Sequence, residues 1–418
     1  MSAFNPKNCK KQPRIGLLVV LLLLAFPQLS SLAAFQDSPR ALVDEAWQVV
    51  QRGYVDRTFN KQDWMAVRTR YLSGNYTDKD AAYSAINEML ESLGDPYTRF
   101  LTPAALKELA DNVSGDFVGV GLTVSLDPKT REWIVEKTFD ESPAAIAGLK
   151  QQDTIVSLNG TPTPTIDPTK AAPYLIGPVG SKLAVQVRRG SQKLSFNLVR
   201  ESINLNPLTY QSVTAPIGKV GYIRLPIFST KSPNSMRNAL QNLESQKVVG
   251  YLLDLRGNPG GVLDAGIAIA RQWLQQGTIV SFKERDLPQT EIRANQQALT
   301  NKPLVVLVDQ QSASASEVLA AALQENRRAV IVGTVTFGKG RVQSFEPLRD
   351  SSGVLVTIAK YFTPSGKDID HLGVKPNIAI SAMPEQSPPT IGDPQYQIAL
   401  STLSQLLRRV DPQPSLQK

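Results

Sequence analysis

Val249-Gly250-Tyr251-Leu252-Leu253-Asp254-Leu255-Arg256-Gly257-Asn258-Pro259-Gly260-Gly261, followed at once by the helical pattern Leu263 to Trp273, sets the fold class of this chain. A short apolar strand runs into a turn built of asparagine, proline and two glycines, and the turn opens a helix. Similar units flank it. Gly221 to Leu225 precedes the helical pattern Asn234 to Leu243, and Pro303 to Val308 precedes Val318 to Glu325. Such alternation predicts a layered α/β core from about Val220 onward.

Upstream the rhythm differs. From Val113 to about Leu198 short strands are expected at Phe117 to Val124, Trp133 to Glu136, Asp153 to Leu158 and Lys182 to Arg188, punctuated by glycine and proline. Before them, Ala41 to Val49 and Ala81 to Leu90 carry apolar residues at helical spacing, and Gly94-Asp95-Pro96 breaks the second run. The expected division is a leader (1–33), a helical region (34–112), a β-rich segment (113–200), the α/β core (201–380) and a tail with one helical stretch, Gln397 to Leu407 (381–418).

The leader is read from its three-part layout. Lys7, Lys10, Lys11 and Arg14 precede the apolar Ile15 to Phe26, and Ser30-Ser31-Leu32-Ala33-Ala34 offers a cleavage point after Ala33. Its apolar part falls short of the ~20 residues of a permanent span. Export is therefore expected, to a periplasm or a lumen, without stable membrane insertion after cleavage; an uncleaved anchor is the alternative. Removing the leader's four basic residues cuts the net charge of +8 to about +4. No dense basic run survives, which argues against nucleic-acid binding. The single cysteine, Cys9, lies in the leader, so disulfides, thiol catalysis and cysteine metal sites are excluded from the mature chain.

The chain has one histidine, His371, in Asp368-Ile369-Asp370-His371. Nothing pairs it with a nucleophile, and it reads as a solvated loop residue rather than a metal ligand or triad base. A hydrolase without histidine needs another base, and serine–lysine pairs are a known variant. Ser314, in Ser312-Ala313-Ser314-Ala315-Ser316-Glu317, and Lys339, in Thr336-Phe337-Gly338-Lys339-Gly340, each follow an apolar run. Ser314 also fits a capping box with Glu317, and both roles stay open, because Ser316 could cap in its place. For Lys339 to act as a base, burial against neighbours such as Phe337 and Val335 must lower its pKa. The glycines of the 254–261 turn could expose amides to an oxyanion, with the Ala315 amide as second donor. Asp254 and Arg256 are expected to organise that turn or pair with each other.

In order, Asp254 to Gly261, Ser312 to Glu317 and Thr336-Phe337-Gly338-Lys339-Gly340-Arg341-Val342-Gln343 resemble the carboxyl-terminal processing (tail-specific) proteases. These are exported serine endopeptidases with a serine–lysine dyad, and the resemblance runs from Leu42 to about Ala379. It implies a mixed α/β, spiral (ClpP/crotonase-like) protease core with an inserted PDZ domain and an N-terminal helical region. It implies Ser314 as nucleophile, Lys339 as base, Gln343 as the residue holding the lysine, and the Gly260 and Ala315 amides as oxyanion hole. It implies no cofactor or metal, and protein or peptide substrates with free C-termini. Asp95-Pro96-Tyr97-Thr98-Arg99-Phe100-Leu101 and the overall layout resemble the cyanobacterial and chloroplast branch. Members there mature the precursor of a photosystem II reaction-centre protein in the thylakoid lumen, while other members trim different exported proteins.

The β-rich segment resembles a PDZ domain through Ser142 to Lys150 and Asp153 to Gly160, with Gly119, Val120, Gly121 and Leu122 at the place of its carboxylate-binding loop. Glycines there let loop amides face a terminal carboxylate while the peptide adds to a sheet edge. Two positions depart from the pattern. Gln152 stands where glycine is usual, and Pro173 falls inside the expected groove helix, Asp167 to Leu175. The rival readings are a non-catalytic peptide-binding or chaperone protein on the same fold, and acyl transfer to small thioesters or amides within a related spiral fold.

Overall fold

The computed structural model describes residues 38–410 except 128, 129, 131, 140, 166–171, 205, 206 and 381–392. The expected leader and most of the expected groove helix lie outside the described residues.

The helical region holds α1 (Pro39–Gly53), α2 (Trp64–Leu72) and α3 (Lys79–Ser92), then β1 (Arg99–Leu101) and α4 (Pro103–Ser114). Asp63 and Asp78 cap α2 and α3 by accepting the Ala66 and Ala81 amides. Trp47, Phe59 and Trp64 stack in a row within a cluster that also takes in Val354 and Val356. The helices therefore pack on a strand of the core nearly three hundred residues later.

Next come β2 (Asp116–Gly119), β3 (Leu122–Leu126), β4 (Trp133–Thr138), α5 (Pro143–Ile146), β5 (Thr154–Leu158), β6 (Thr161–Pro162), α6 (Ala172–Leu175), β7 (Lys182–Arg189), β8 (Gln192–Val199) and β9 (Glu201–Asn204). β3, β4, β5, β7 and β8 form one antiparallel sheet in that order, with β6 on β5. β2 pairs along its length with β9, making a two-stranded neck through which the chain enters and leaves this unit. The single strand expected over Phe117 to Val124 is thus two strands. The break falls at Gly121, whose φ of +75° and contact with Ser142 leave no room for a Cβ. In α6, Pro173 sits in the first turn, where its missing N–H costs nothing.

The core follows as β10 (Thr209–Ala215), β11 (Gly218–Arg224), α7 (Ser232–Ser245), β12 (Gly250–Asp254), α8 (Leu263–Trp273), β13 (Thr278–Glu284), β14 (Thr290–Arg293) and β15 (Leu304–Val308). It continues with α9 (Ala315–Glu325), β16 (Val330–Gly333), β17 (Arg341–Pro347), β18 (Gly353–Phe362), β19 (Ile378–Ala379) and α10 (Pro394–Val410). The main sheet runs β10-β11-β12-β15-β16-β19, parallel throughout except for β10. Every residue of β12 and β15 is buried, as parallel strands covered on both faces require. Residues of α7, α8 and α9 share one apolar cluster with this sheet. Tyr396, Ala399 and Leu403 of α10 join a second cluster with Tyr222, Leu252, Val305 and Leu307. The second, antiparallel sheet, β1-β18-β13-β14 with β17 on β18, is not expected from the sequence pattern.

Gln152 adopts φ +70°, the left-handed conformation that glycine occupies without strain. Its side chain is exposed, so nothing is lost by removing it. Gln152→Gly is expected to stabilise the β-rich unit by about 0.5–1 kcal/mol. Native-state hydrogen exchange of the β5 and β7 amides should slow by roughly two- to fivefold.

Candidate active site

Three segments meet at the C-terminal ends of β12 and β15: the turn after β12, the serine-rich loop before α9, and the loop before β17. The turn and the serine loop are stitched together by hydroxyls. Ser312 Oγ donates to the Leu255 carbonyl at 2.8 Å and Ser316 Oγ to the Asn258 carbonyl at 2.9 Å. Asn258 is fixed in turn by donating from Nδ2 to the Leu225 carbonyl at 2.7 Å. The expectation that Ser316 could cap α9 is therefore corrected: it sits inside the helix and holds the turn.

Ser314 is the residue at the cap position, and of the three serines it alone donates its hydroxyl to no group among the described residues. Its backbone is unusual, at φ 55° and ψ −114°. A non-glycine residue is held there only when its surroundings over-determine it, as at a nucleophile on a sharp strand-to-helix turn. Gly260 explains part of the tightness, because a Cβ at its φ of +98° would lie 2.7 Å from the Ala313 carbonyl oxygen and 2.8 Å from Ser314 Cβ.

The constraint on Ser314 comes from Glu317, which is fully buried. Its Oε2 accepts the Ser314 amide at 2.8 Å and the Lys339 amide at 2.9 Å. Its Oε1 accepts the Thr336 hydroxyl at 2.5 Å and the Gly338 amide at 2.7 Å. One carboxylate thus joins the serine loop to the lysine loop. Tyr361, buried on β18, bridges the same pair by donating toward the Lys339 and Ser314 carbonyls. From sequence Glu317 reads as half of a capping box, and no local signal gives Tyr361 a role.

Lys339 is half-buried. Burial, with help from the nearby Arg99 guanidinium, holds its amine below the ordinary value of 10.5, while Asp95 and Glu317 oppose the shift. Its Nζ lies 5.0 Å from the centroid of the Tyr97 ring and makes no hydrogen bond to Ser314 Oγ. The Gln343 carboxamide reaches Thr357 Oγ1 at 3.5 Å rather than Lys339. The Gly260 amide donates to Asn258 Oδ1 at 2.8 Å, whereas the Ala315 amide has no partner among the described residues. Beside these groups lies an 860 Å³ cleft lined in part by Tyr97, Pro259, Gln311, Ala313, Phe337 and Lys339. Phe337 is exposed into it and gives it an apolar wall.

Asp254 and Arg256 do pair. Asp254, fully buried, accepts from Arg256 at 2.6 and 2.9 Å and from the Tyr222 hydroxyl at 2.7 Å. Arg256 also reaches Asp393, at the start of α10, at 2.6 Å. Burial alone would lower the guanidinium pKa, but the two carboxylates raise it. His371 is largely exposed on its loop, 3.7 Å from Asp370. In the β-rich unit, Val120 and Leu122 are buried, while the Gly121 amide has no partner among the described residues. Gly119 bridges to Ile176 beside α6. No cluster of three potential metal ligands occurs among the described residues.

Two family descriptions match this chain: peptidase family S41 over residues 219–380 and the PDZ domain over residues 140–189. A carboxyl-terminal-processing protease of Synechocystis is 40% identical over 381 residues, covering 90% of this chain and 88% of that one. Carboxyl-terminal-processing peptidase 3 of the Arabidopsis thaliana chloroplast is 38% identical over 372 residues, covering 85% and 71%. Among solved structures, a photosystem II D1 C-terminal processing protease matches with a TM-score of 0.56 and 35% identity, covering 82% of this chain and 93% of that one. The chain belongs to peptidase family S41, as a serine peptidase with a PDZ domain. Its substrates are proteins.

Glu317→Gln replaces one of two accepting oxygens with a donor that would face N–H groups. The variant should lose about 2–4 kcal/mol of stability, measured by urea unfolding. It should lose turnover even at temperatures where it remains folded.

Proposed function

We propose that this chain is an endopeptidase that trims C-terminal extensions from exported or lumenal proteins, with Ser314 as nucleophile and Lys339 as general base. The observation that carries the reading is the Ser314 hydroxyl, which donates to no group among the described residues, on a loop stapled through Glu317 to that of a lysine whose pKa burial has lowered. In this reading Lys339 takes the Ser314 proton as Oγ attacks a peptide carbonyl, then returns it to the leaving amine. Water resolves the acyl-enzyme by the reverse route. The Ala315 and Gly260 amides hold the oxyanion, which requires Gly260 to give up Asn258 Oδ1. Gln343 supports the lysine only if its carboxamide swings away from Thr357.

The 113–200 segment serves as the capture domain, with Gly119 to Leu122 receiving the terminal carboxylate, and the core spans 201–380. The Gly121 amide, without a partner among the described residues, supports this loop assignment. The cyanobacterial and chloroplast relatives, together with the matched photosystem II D1 processing protease, favour a thylakoid lumen and a photosystem II precursor as substrate.

Incubation with a protein bearing an apolar C-terminal tail, followed by mass spectrometry, tests the reading. Cuts near the carboxyl end are expected, and they should vanish in Ser314→Ala and Lys339→Arg while both variants stay folded. Retained cutting in either would overturn the assignment. Only the neutral amine can accept the serine proton, so kcat/KM should climb with pH along an acid limb lying below 10.5. Arg99→Gln removes a nearby positive charge and should move that limb to higher pH.

A further inference from the structure

Tyr97 comes from the N-terminal helical region, yet it lines the same cleft as Lys339. Its backbone is fixed from both sides. Its amide donates to Asp95 Oδ1 at 3.0 Å, and the next residue, Thr98, donates to Asp95 Oδ2 at 2.8 Å. Thr98 Oγ1 also accepts the Thr357 amide of β18 at 3.1 Å, and β1 extends this anchorage by pairing with β18. The ring is therefore carried on the antiparallel sheet and not on a loose loop. Above its face sits the Lys339 amine, 5.0 Å from the centroid, in the arrangement of a cation–π contact. Lys339 Nζ has no ion pair or hydrogen bond among the described residues, so this ring is the partner the structure gives it.

We propose that Tyr97 is a positioning residue that holds the Lys339 amine on its ring face, away from Ser314, until the amine transfers to the serine. The proposal rests on the reading of Lys339 as the base. The ring acts in two opposite senses. Its quadrupole favours the ammonium, while its bulk keeps water from the amine and favours the neutral form. Charged and titratable groups around the pair are Arg99, Asp95, Glu317, Asp370, Arg341 and Tyr361. All stay in place when only the ring is changed.

The two senses are separable by substitution. Tyr97→Phe keeps the face and should leave the pH profile of kcat/KM nearly unmoved. Tyr97→Leu keeps apolar bulk but removes the π-face, and its acid limb should move down by about half to one pH unit. Tyr97→Ala lets water reach the amine, and its limb should move up. Limbs coincident with wild type in both the leucine and alanine variants would overturn the proposal, as would shifts of the same sign. Should Tyr97→Leu fold poorly, a ring-fluorinated phenylalanine at the position keeps the shape and cancels the quadrupole; an unmoved limb there overturns the proposal too. Failure of the underlying reading looks different: Lys339→Arg would then retain turnover, whatever the Tyr97 variants do.

Discussion

A carboxylate sealed from water must find its hydrogen bonds in the protein, and it draws the groups that supply them into fixed positions. Glu317 finds four donors, one on the serine loop and three on the lysine loop. Much of the site's geometry depends on this one group. It holds the Ser314 backbone at a dihedral pair that a free chain would leave, and it sets the reach of the lysine by gripping its amide. Glu317 lies in the first turn of α9, whose apolar residues share the core cluster with β15 and α8. The two loops are therefore referred to the core of the main sheet rather than to each other.

The serine-rich loop shows a division of labour among identical side chains. Ser312 and Ser316 are fully buried and donate to carbonyls of the turn after β12, while Ser314 alone of the three donates its hydroxyl to no group among the described residues. A buried hydroxyl without a partner costs about 1–3 kcal/mol, so the flanking serines are stable only because the turn offers them carbonyls. The turn offers them because Gly260 lets its backbone approach where a Cβ would collide. Arg256 extends the arrangement outward by tying the turn, through Asp254 and Asp393, to the start of α10.

What the sequence makes legible follows from what local pattern encodes. β12 and β15 announce themselves because a parallel strand covered on both faces must be apolar at every position, and both are bounded by turn chemistry. Gly260 and Ser314 are legible as motif residues. Their partners are not. Three of the four donors to Glu317 lie about twenty residues further on, and its spacing to Ser314 is explained completely by a capping box. Tyr97 and Thr98 precede the core by more than a hundred residues, just ahead of a three-residue strand too short for any periodicity. Gln152 shows the reverse: its departure from the usual glycine is visible, and the positive φ supplies the physical reason glycine is usual.

A lysine base makes a different demand from a histidine base. Histidine is near neutrality in water, whereas lysine must be made so by its surroundings. Here the groups around the amine come from separate parts of the chain: Tyr97 and Arg99 from the N-terminal region and Phe337 beside the lysine. The core strands alone would leave the amine open on one side. In the proposed mechanism the helical region, through β1 and its pairing with β18, therefore completes the site as well as the fold. Removing it would solvate the Lys339 amine even if every residue of the main sheet stayed in place.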